Sequence, residues 1–385
     1  MKKLVAVSTI LVIIHTLFVS AVFSKTVAPS LPILSSEAAI VMEATTGQVL
    51  YEKNARSQMY PASVTKIATA IYAIENGNLN DVVTVSKKAR NTEGTRVYLE
   101  EGEQVTLEKL LLGLLVNSGN DAGVAIAEHI SGSVELFASD LNLYLKDAVG
   151  LRDTNFENPH GLFDPQHVTT AQDLSELTRY AMKNEEFMKI FGTKELPWNG
   201  ESWDTTLYTH HKLLREKPYD GVTGGKNGFV PEAGVTLVTT AGRENLDLIV
   251  VTLKSDSEAE AYSDTVQLLD FGFNNFETSI IPTNSRFFAG EIEYITQREI
   301  AYTHPAGEQV AIDVKEDGKL RITNQKGTLL SSYQFPVISD SAKNHSSIQQ
   351  DSGSFLEQVF SNSLYLIVVV VSVLGLLYYQ VRKKK

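Results

Sequence analysis

Three short stretches carry residues whose types and spacing could do chemistry. In Ser63-Val64-Thr65-Lys66 a hydroxyl and an amine stand three residues apart. On a helix, positions i and i+3 share a face, so the Lys66 amine can reach the Ser63 hydroxyl. A serine hydroxyl is a weak nucleophile until a neighbouring base takes its proton. A lysine serves as that base when burial or other cations keep it partly neutral. A helix start also favours developing negative charge. Taken alone, the stretch is a solvated lysine on a surface helix. Ser118-Gly119-Asn120 lies between two helical segments. Such a turn aims a hydroxyl, suited to relaying a proton to a leaving amine, and a carboxamide, suited to holding a peptide group. Taken alone, it is a helix N-cap. Lys226-Asn227-Gly228 follows Gly224-Gly225 and precedes a strand-rich stretch. A cation on a strand edge attracts a carboxylate, and a glycine lets backbone approach a ligand closely. Taken alone, Asn-Gly is a hairpin turn.

Other chemistries find little support. The chain has no cysteine, which excludes disulfides, thiolate catalysis and Cys-based zinc sites. Its histidines show no HExxH-type spacing, so no metal site is recognisable and no cofactor is expected. His160 reads as a structural histidine holding its loop, and His210-His211 as a loop feature. The formal net charge of -12 argues against nucleic acid as a partner, because phosphate binding needs a basic surface.

The elements that must position these residues can be traced along the chain. Ala38 to Met42 and Gln48 to Tyr51 predict a β-hairpin turned at Gly47. Val64, Ile67, Ala68 and Ile71 recur at helical spacing, predicting a helix from Ala62 or Ser63 to about Gly77. Leu107 to Val116 and Asn120 to Ile130 predict two more helices. Val235 to Thr240 and Leu246 to Leu253 predict strands, being dense in Val, Ile, Leu and Thr. Helices covering a sheet built from both ends of this region make a layered α/β domain, 36–276. From 277 to 338 short alternating runs separated by turn residues predict a small all-β domain. A polar, Ser-rich linker follows over 339–358.

The two ends predict export and anchoring. A basic start and an apolar run to about Phe23 make a secretory signal over 1–24. Residues 359–381 are apolar enough to span a bilayer, with Tyr365, Tyr378 and Tyr379 near the edges. The basic Arg382 to Lys385 places the tail in the cytoplasm and the body outside.

In order, the three motifs match the S-x-x-K, serine/asparagine triplet and K-T-G set of penicillin-binding proteins and class A β-lactamases. The sequence resembles a low-molecular-mass penicillin-binding protein of the serine-type D-alanyl-D-alanine carboxypeptidase family. The likeness runs from about Ser36 to Phe273. It rests on the three motifs with their flanks, Tyr60-Pro61-Ala62 before the first and Asp121-Ala122 after the second, and on Phe156-Glu157-Asn158-Pro159-His160-Gly161-Leu162. The resemblance implies a transpeptidase-like catalytic domain, a small all-β domain and a membrane anchor on the extracytoplasmic face of a bacterial cell membrane. It implies peptidoglycan stem peptides ending in D-Ala-D-Ala as substrates and β-lactams as covalent inhibitors. Ser63 is then the nucleophile and Lys66 its base. Ser118 and Lys226 help protonate the departing D-Ala, and Asn120 holds the substrate backbone. The backbone N–H groups of Ser63 and Phe229 form the oxyanion hole, with Gly228 between Asn227 and Phe229 on the third-motif strand.

Two positions depart from the family. Asn227 stands where the family has a threonine whose hydroxyl helps bind the terminal carboxylate. An arginine expected near Ala261 is missing, and no Arg or Lys occurs from Ser255 to Phe273. Carboxylate recognition is therefore expected to be weak. A β-lactamase would need a deacylating Glu between the second and third motifs, and Glu135 lacks the usual surroundings. A catalytically weak muropeptide-binding or sensor protein on the same fold is the alternative.

Overall fold

The computed structural model describes residues 31–336. The signal, linker and membrane span read at 1–24, 339–358 and 359–381 lie outside these residues. Among the described residues no helix is long and apolar enough to cross a membrane.

The centre is a five-stranded antiparallel sheet. Its strands are β1 (Ala38–Glu43), β2 (Val49–Lys53), β3 (Val222–Val230), β4 (Gly234–Arg243) and β5 (Leu246–Ser255), in the order β2-β1-β5-β4-β3. β1 is buried at every position. Its side chains alternate between two cores. Ala38, Ile40 and Met42 join the helical layer, and Ala39 and Val41 join Tyr262, Leu268 and Leu269 on the opposite face. A strand covered on both faces reads as a continuous apolar run, which is how it appears in the sequence.

The helical layer comes from the chain between β2 and β3. It includes α1 (Lys66–Asn76), α2 (Leu107–Val116), α3 (Asn120–Ser131), α4 (Val134–Tyr144), α5 (Ala171–Ala181) and α6 (Glu185–Phe191). The predicted spans of α2 and α3 agree with the structure within one residue. The helix α7 (Glu258–Asn275) covers the other face of the sheet, against β4 and β5. Beyond it, Phe276–Ile281 pairs with Ile300–Pro305, Arg286–Ala289 with Ile292–Ile295, and Val310–Val314, Lys319–Asn324 and Leu329–Gln334 form a third sheet. Short alternating runs of the 277–338 stretch, such as Ile292–Ile295 and Lys319–Asn324, are strands.

One local reading changes, and two of the stand-alone alternatives are not what the structure shows. The helix expected from Ala62 or Ser63 opens with a 3₁₀ turn, Ala62–Thr65, and becomes α-helical only at Lys66. Asn227-Gly228 is no turn. Both residues lie inside β3, paired with Leu237 and Thr236, because long-range pairing with β4 overrides the dipeptide's local preference. Ser118 is not the N-cap of α3. Gly119 holds that position without a side-chain cap.

Candidate active site

The first two motifs meet at one amine. Lys66 is fully buried. Its Nζ lies 2.9 Å from Ser63 Oγ, 2.8 Å from Asn120 Oδ1 and 2.6 Å from the backbone oxygen of His160. Burial holds its pKa well below the usual lysine range. The nearby Lys226 charge lowers it further, and Asp121 opposes. These contacts define what a neutral amine would do. It has two N–H groups and one lone pair. Asn120 Oδ1 and the His160 carbonyl can only accept, so they take the two hydrogens. The lone pair is left for Ser63, whose hydroxyl then donates to it. The solvated-lysine alternative does not fit this geometry.

Ser63 sits in a turn under constraint. Ala62, just before it, has φ +49, a left-handed conformation that costs an L-residue about 1–2 kcal/mol. Neighbours hold it. Thr65 Oγ1 donates to Ala62 O at 2.7 Å, and Thr236 Oγ1 donates to Pro61 O at 2.8 Å. Gly161, itself at φ +87, packs so closely that a Cβ there would lie 1.9 Å from Ala62 O.

β3 closes the other side. It is an edge strand: among the described residues it pairs only with β4, which leaves its second edge without a partner strand there. A Cβ on Gly228 would stand 2.5 Å from the Ser63 nitrogen. The strand therefore runs directly against the nucleophile's turn. Phe229 follows with an exposed ring. Lys226 is buried, and burial brings its pKa down to about 7. Its Nζ donates to Asn227 O at 2.8 Å. Strand alternation puts Lys226 and Gly228 on one face. Asn227, half-buried, belongs to the other.

The second motif is braced by a loop. Ser118 is buried, with φ +62. Asn120 Nδ2 donates to Glu93 O, and Asn120 N donates to Thr95 O, each at 2.7 Å. One amide hydrogen of Asn120 remains for a ligand. The Asp121 carboxylate accepts from the Val97, Leu99 and Ala122 nitrogens. Burial raises its pKa and those donors counteract the rise.

The site thus gathers Ser63, Lys66, Asn120 and Gly228 in direct contact, with Lys226 electrostatically coupled to Lys66. His160 fits its structural reading, since its Nδ1 accepts the Leu162 N–H at 3.2 Å. Its carbonyl, however, is part of the site. His211 is buried and pairs with Thr239 Oγ1. Burial brings the His210 pKa down to about 4, and the Lys226, Arg215 and Lys66 charges add to the shift. Ala261, near the place where the resemblance implies an arginine, is fully buried. The sequence does not single out Thr65, Asp121 or Gly161. All three lie inside or beside the motif stretches, but what they contact is backbone, which leaves no chemical signature.

A family model described as D-alanyl-D-alanine carboxypeptidase matches residues 25–257, a span that contains Ser63, Lys66, Ser118, Asn120 and Lys226 to Phe229. The chain belongs to the D-alanyl-D-alanine carboxypeptidase family. Among relatives in that family, the Bacillus subtilis D-alanyl-D-alanine carboxypeptidase DacF is 33% identical over 337 residues, covering 83% of this chain and 86% of the relative. The Salmonella typhimurium carboxypeptidase DacD is 33% identical over 287 residues, covering 71% of this chain and 72% of the relative. The fold is similar to penicillin-binding protein 5 of Haemophilus influenzae, with a TM-score of 0.70 and 27% identity over 79% of this chain and 97% of that one. Penicillin-binding protein 6B of Escherichia coli gives 0.68 at 28% identity, over 80% and 98%. The penicillin-binding-protein-like α/β fold expected from the sequence is thus present.

Proposed function

We propose that the chain is a serine-type D-alanyl-D-alanine carboxypeptidase that trims peptidoglycan stem peptides through a Ser63 acyl-enzyme. The observation that carries this reading is the Lys66 amine, buried and bounded by two pure acceptors and the Ser63 hydroxyl. Ser63 Oγ attacks the penultimate D-Ala carbonyl carbon while its proton passes to Lys66. The oxyanion lies between the Ser63 and Phe229 N–H groups, each such donor being worth about 3 kcal/mol. The C–N bond then breaks, and the departing amine takes a proton through Ser118 and Lys226. Water releases the shortened peptide and restores Ser63. The open edge of β3 suits an extended peptide added as a further strand, with Asn120 holding its backbone. The same attack on a β-lactam carbonyl would leave a covalent adduct.

A binding-only protein would have no use for a lysine buried at such cost beside one hydroxyl, so the enzyme reading is favoured over the sensor. The sequence further supports a location outside the cytoplasmic membrane, held by the 359–381 segment. The direct test is D-Ala release from a D-Ala-D-Ala peptide by the wild type and by Ser63→Ala. Release that survives Ser63→Ala would refute the mechanism.

A further inference from the structure

Behind the nucleophile's turn lies a buried histidine that the proposed chemistry does not use. His167 is 2% exposed. Its ring stacks on Phe156, with centroids 4.8 Å apart and planes at 20°. Phe156 is itself fixed through both backbone groups. Its N–H donates to Asn142 Oδ1 at 2.8 Å, and its carbonyl accepts from Asn142 Nδ2 at 2.9 Å.

The hydrogen bonds around this ring determine its tautomer. The Glu157 N–H donates to His167 Nδ1 at 2.9 Å, so Nδ1 must accept. The ring proton is then on Nε2, which lies 2.8 Å from Thr65 Oγ1. Nε2–H donates to Thr65 Oγ1. The Thr65 hydroxyl hydrogen is thereby directed to the Ala62 carbonyl, 2.7 Å away. The result is a one-way relay from Glu157 N–H through His167 and Thr65 to Ala62 O, with every donor used once. Burial keeps the imidazole neutral, its pKa brought down to about 3, so the tautomer persists across the working pH range.

The end of the relay is the strained residue. Ala62 at φ +49 has no intrinsic preference for its conformation, and its carbonyl is the group that Thr65 holds. If Ala62 relaxed, the Ser63 N–H would rotate away from β3, and Ser63 Oγ away from Lys66. We infer that His167 is a positioning residue: by orienting the Thr65 hydroxyl it holds Ala62 left-handed and keeps Ser63 aimed at Lys66 and at the edge of β3. This inference rests on Ser63 being the nucleophile.

The test measures the second-order rate of acylation by a fluorescent penicillin, kcat and KM for D-Ala release, and melting temperature. Thr65→Val removes the hydroxyl at nearly constant shape. His167→Asn cannot reach Thr65. Each should slow acylation by about tenfold to a hundredfold, the scale of a small misalignment of reacting groups, lowering kcat with KM little changed. Thr65→Ser and His167→Gln keep a hydroxyl and a donor at the Nε2 position, and should recover most of the rate. The double variant Thr65→Val/His167→Asn should be no slower than the worse single, because both cut one relay. Acylation at the wild-type rate in Thr65→Val, whatever its melting temperature, would overturn the inference. So would multiplicative losses in the double variant. Ser63→Ala separates the two levels. If it still labels, the nucleophile is misassigned. If it is silent while Thr65→Val and His167→Asn acylate normally, the relay alone is refuted.

Discussion

At the scale of single residues the site depends on two buried lysines whose pKa values burial lowers. Ser63→Ala is expected to abolish covalent penicillin labelling with the fold intact. Lys66→Ala should slow acylation about 10²- to 10⁴-fold, the usual loss on removing a general base; stopped-flow labelling checks both. Lys226 makes a prediction about stability. Its folded pKa, about 7, lies below its ordinary 10.5. Between those values the unfolded chain binds the extra proton. Stability from this group is therefore full above the ordinary value and is lost as pH falls toward the folded one. Lys226→Met should abolish turnover yet melt at a higher temperature near pH 7, by a few kcal/mol of stability. That gain should shrink as pH rises toward 10, which thermal melts across pH will read. Asn227 bears on specificity. Replacing a hydroxyl and losing a nearby cation should cost about 1.5–3 kcal/mol of carboxylate recognition. Asn227→Thr should accordingly raise kcat/KM for a free D-Ala-D-Ala end more than for its amide. An unchanged ratio between the two substrates would show that another group binds the carboxylate.

At the scale of elements, the site depends on how closely a turn and an edge strand approach. A Cβ on Gly228 would meet the Ser63 nitrogen at 2.5 Å and Thr236 Oγ1 at 2.7 Å. Both lie in fixed backbone or its immediate support, so the strand must move. Gly228→Ala should reduce acylation by two orders of magnitude or so, with a melting temperature close to that of the wild type. Gly161→Ala is the contrasting case. It forces a side chain into a left-handed position and against Ala62 O at 1.9 Å. It should destabilise the protein by more than about 1 kcal/mol and slow acylation as well. Denaturant melts with labelling rates distinguish the two outcomes.

For the whole molecule, the catalytic elements and the later strands make up the described chain, and the proposed anchor lies beyond it. A chain ending at residue 336 should keep kcat/KM for a soluble peptide within about twofold and leave the membrane fraction. In cells stripped of their wall, added protease should release the enzyme by cutting within 339–354. A catalytic domain protected until lysis would contradict the proposed topology.

The sequence alone determined which chemistry was available. Ser63 and Lys66 at i and i+3, the Ser118 triplet and the glycine after Asn227 are local patterns, and local patterns survive without a fold. The long apolar runs likewise specified β1, α2 and α3, because periodicity and burial are properties of contiguous residues. Tertiary structure decided the rest. Asn227-Gly228 has the composition of a turn but lies in a strand, since pairing with β4 outweighs a dipeptide preference. Lys66 has the composition of a surface residue but is buried, because Asn120 and His160, far away in the chain, supply its acceptors. The left-handed Ala62 and its brace through Thr65 and His167 have no sequence signature at all. They arise where one segment's carbonyl meets another's donor, and that meeting exists only once the chain has closed on itself.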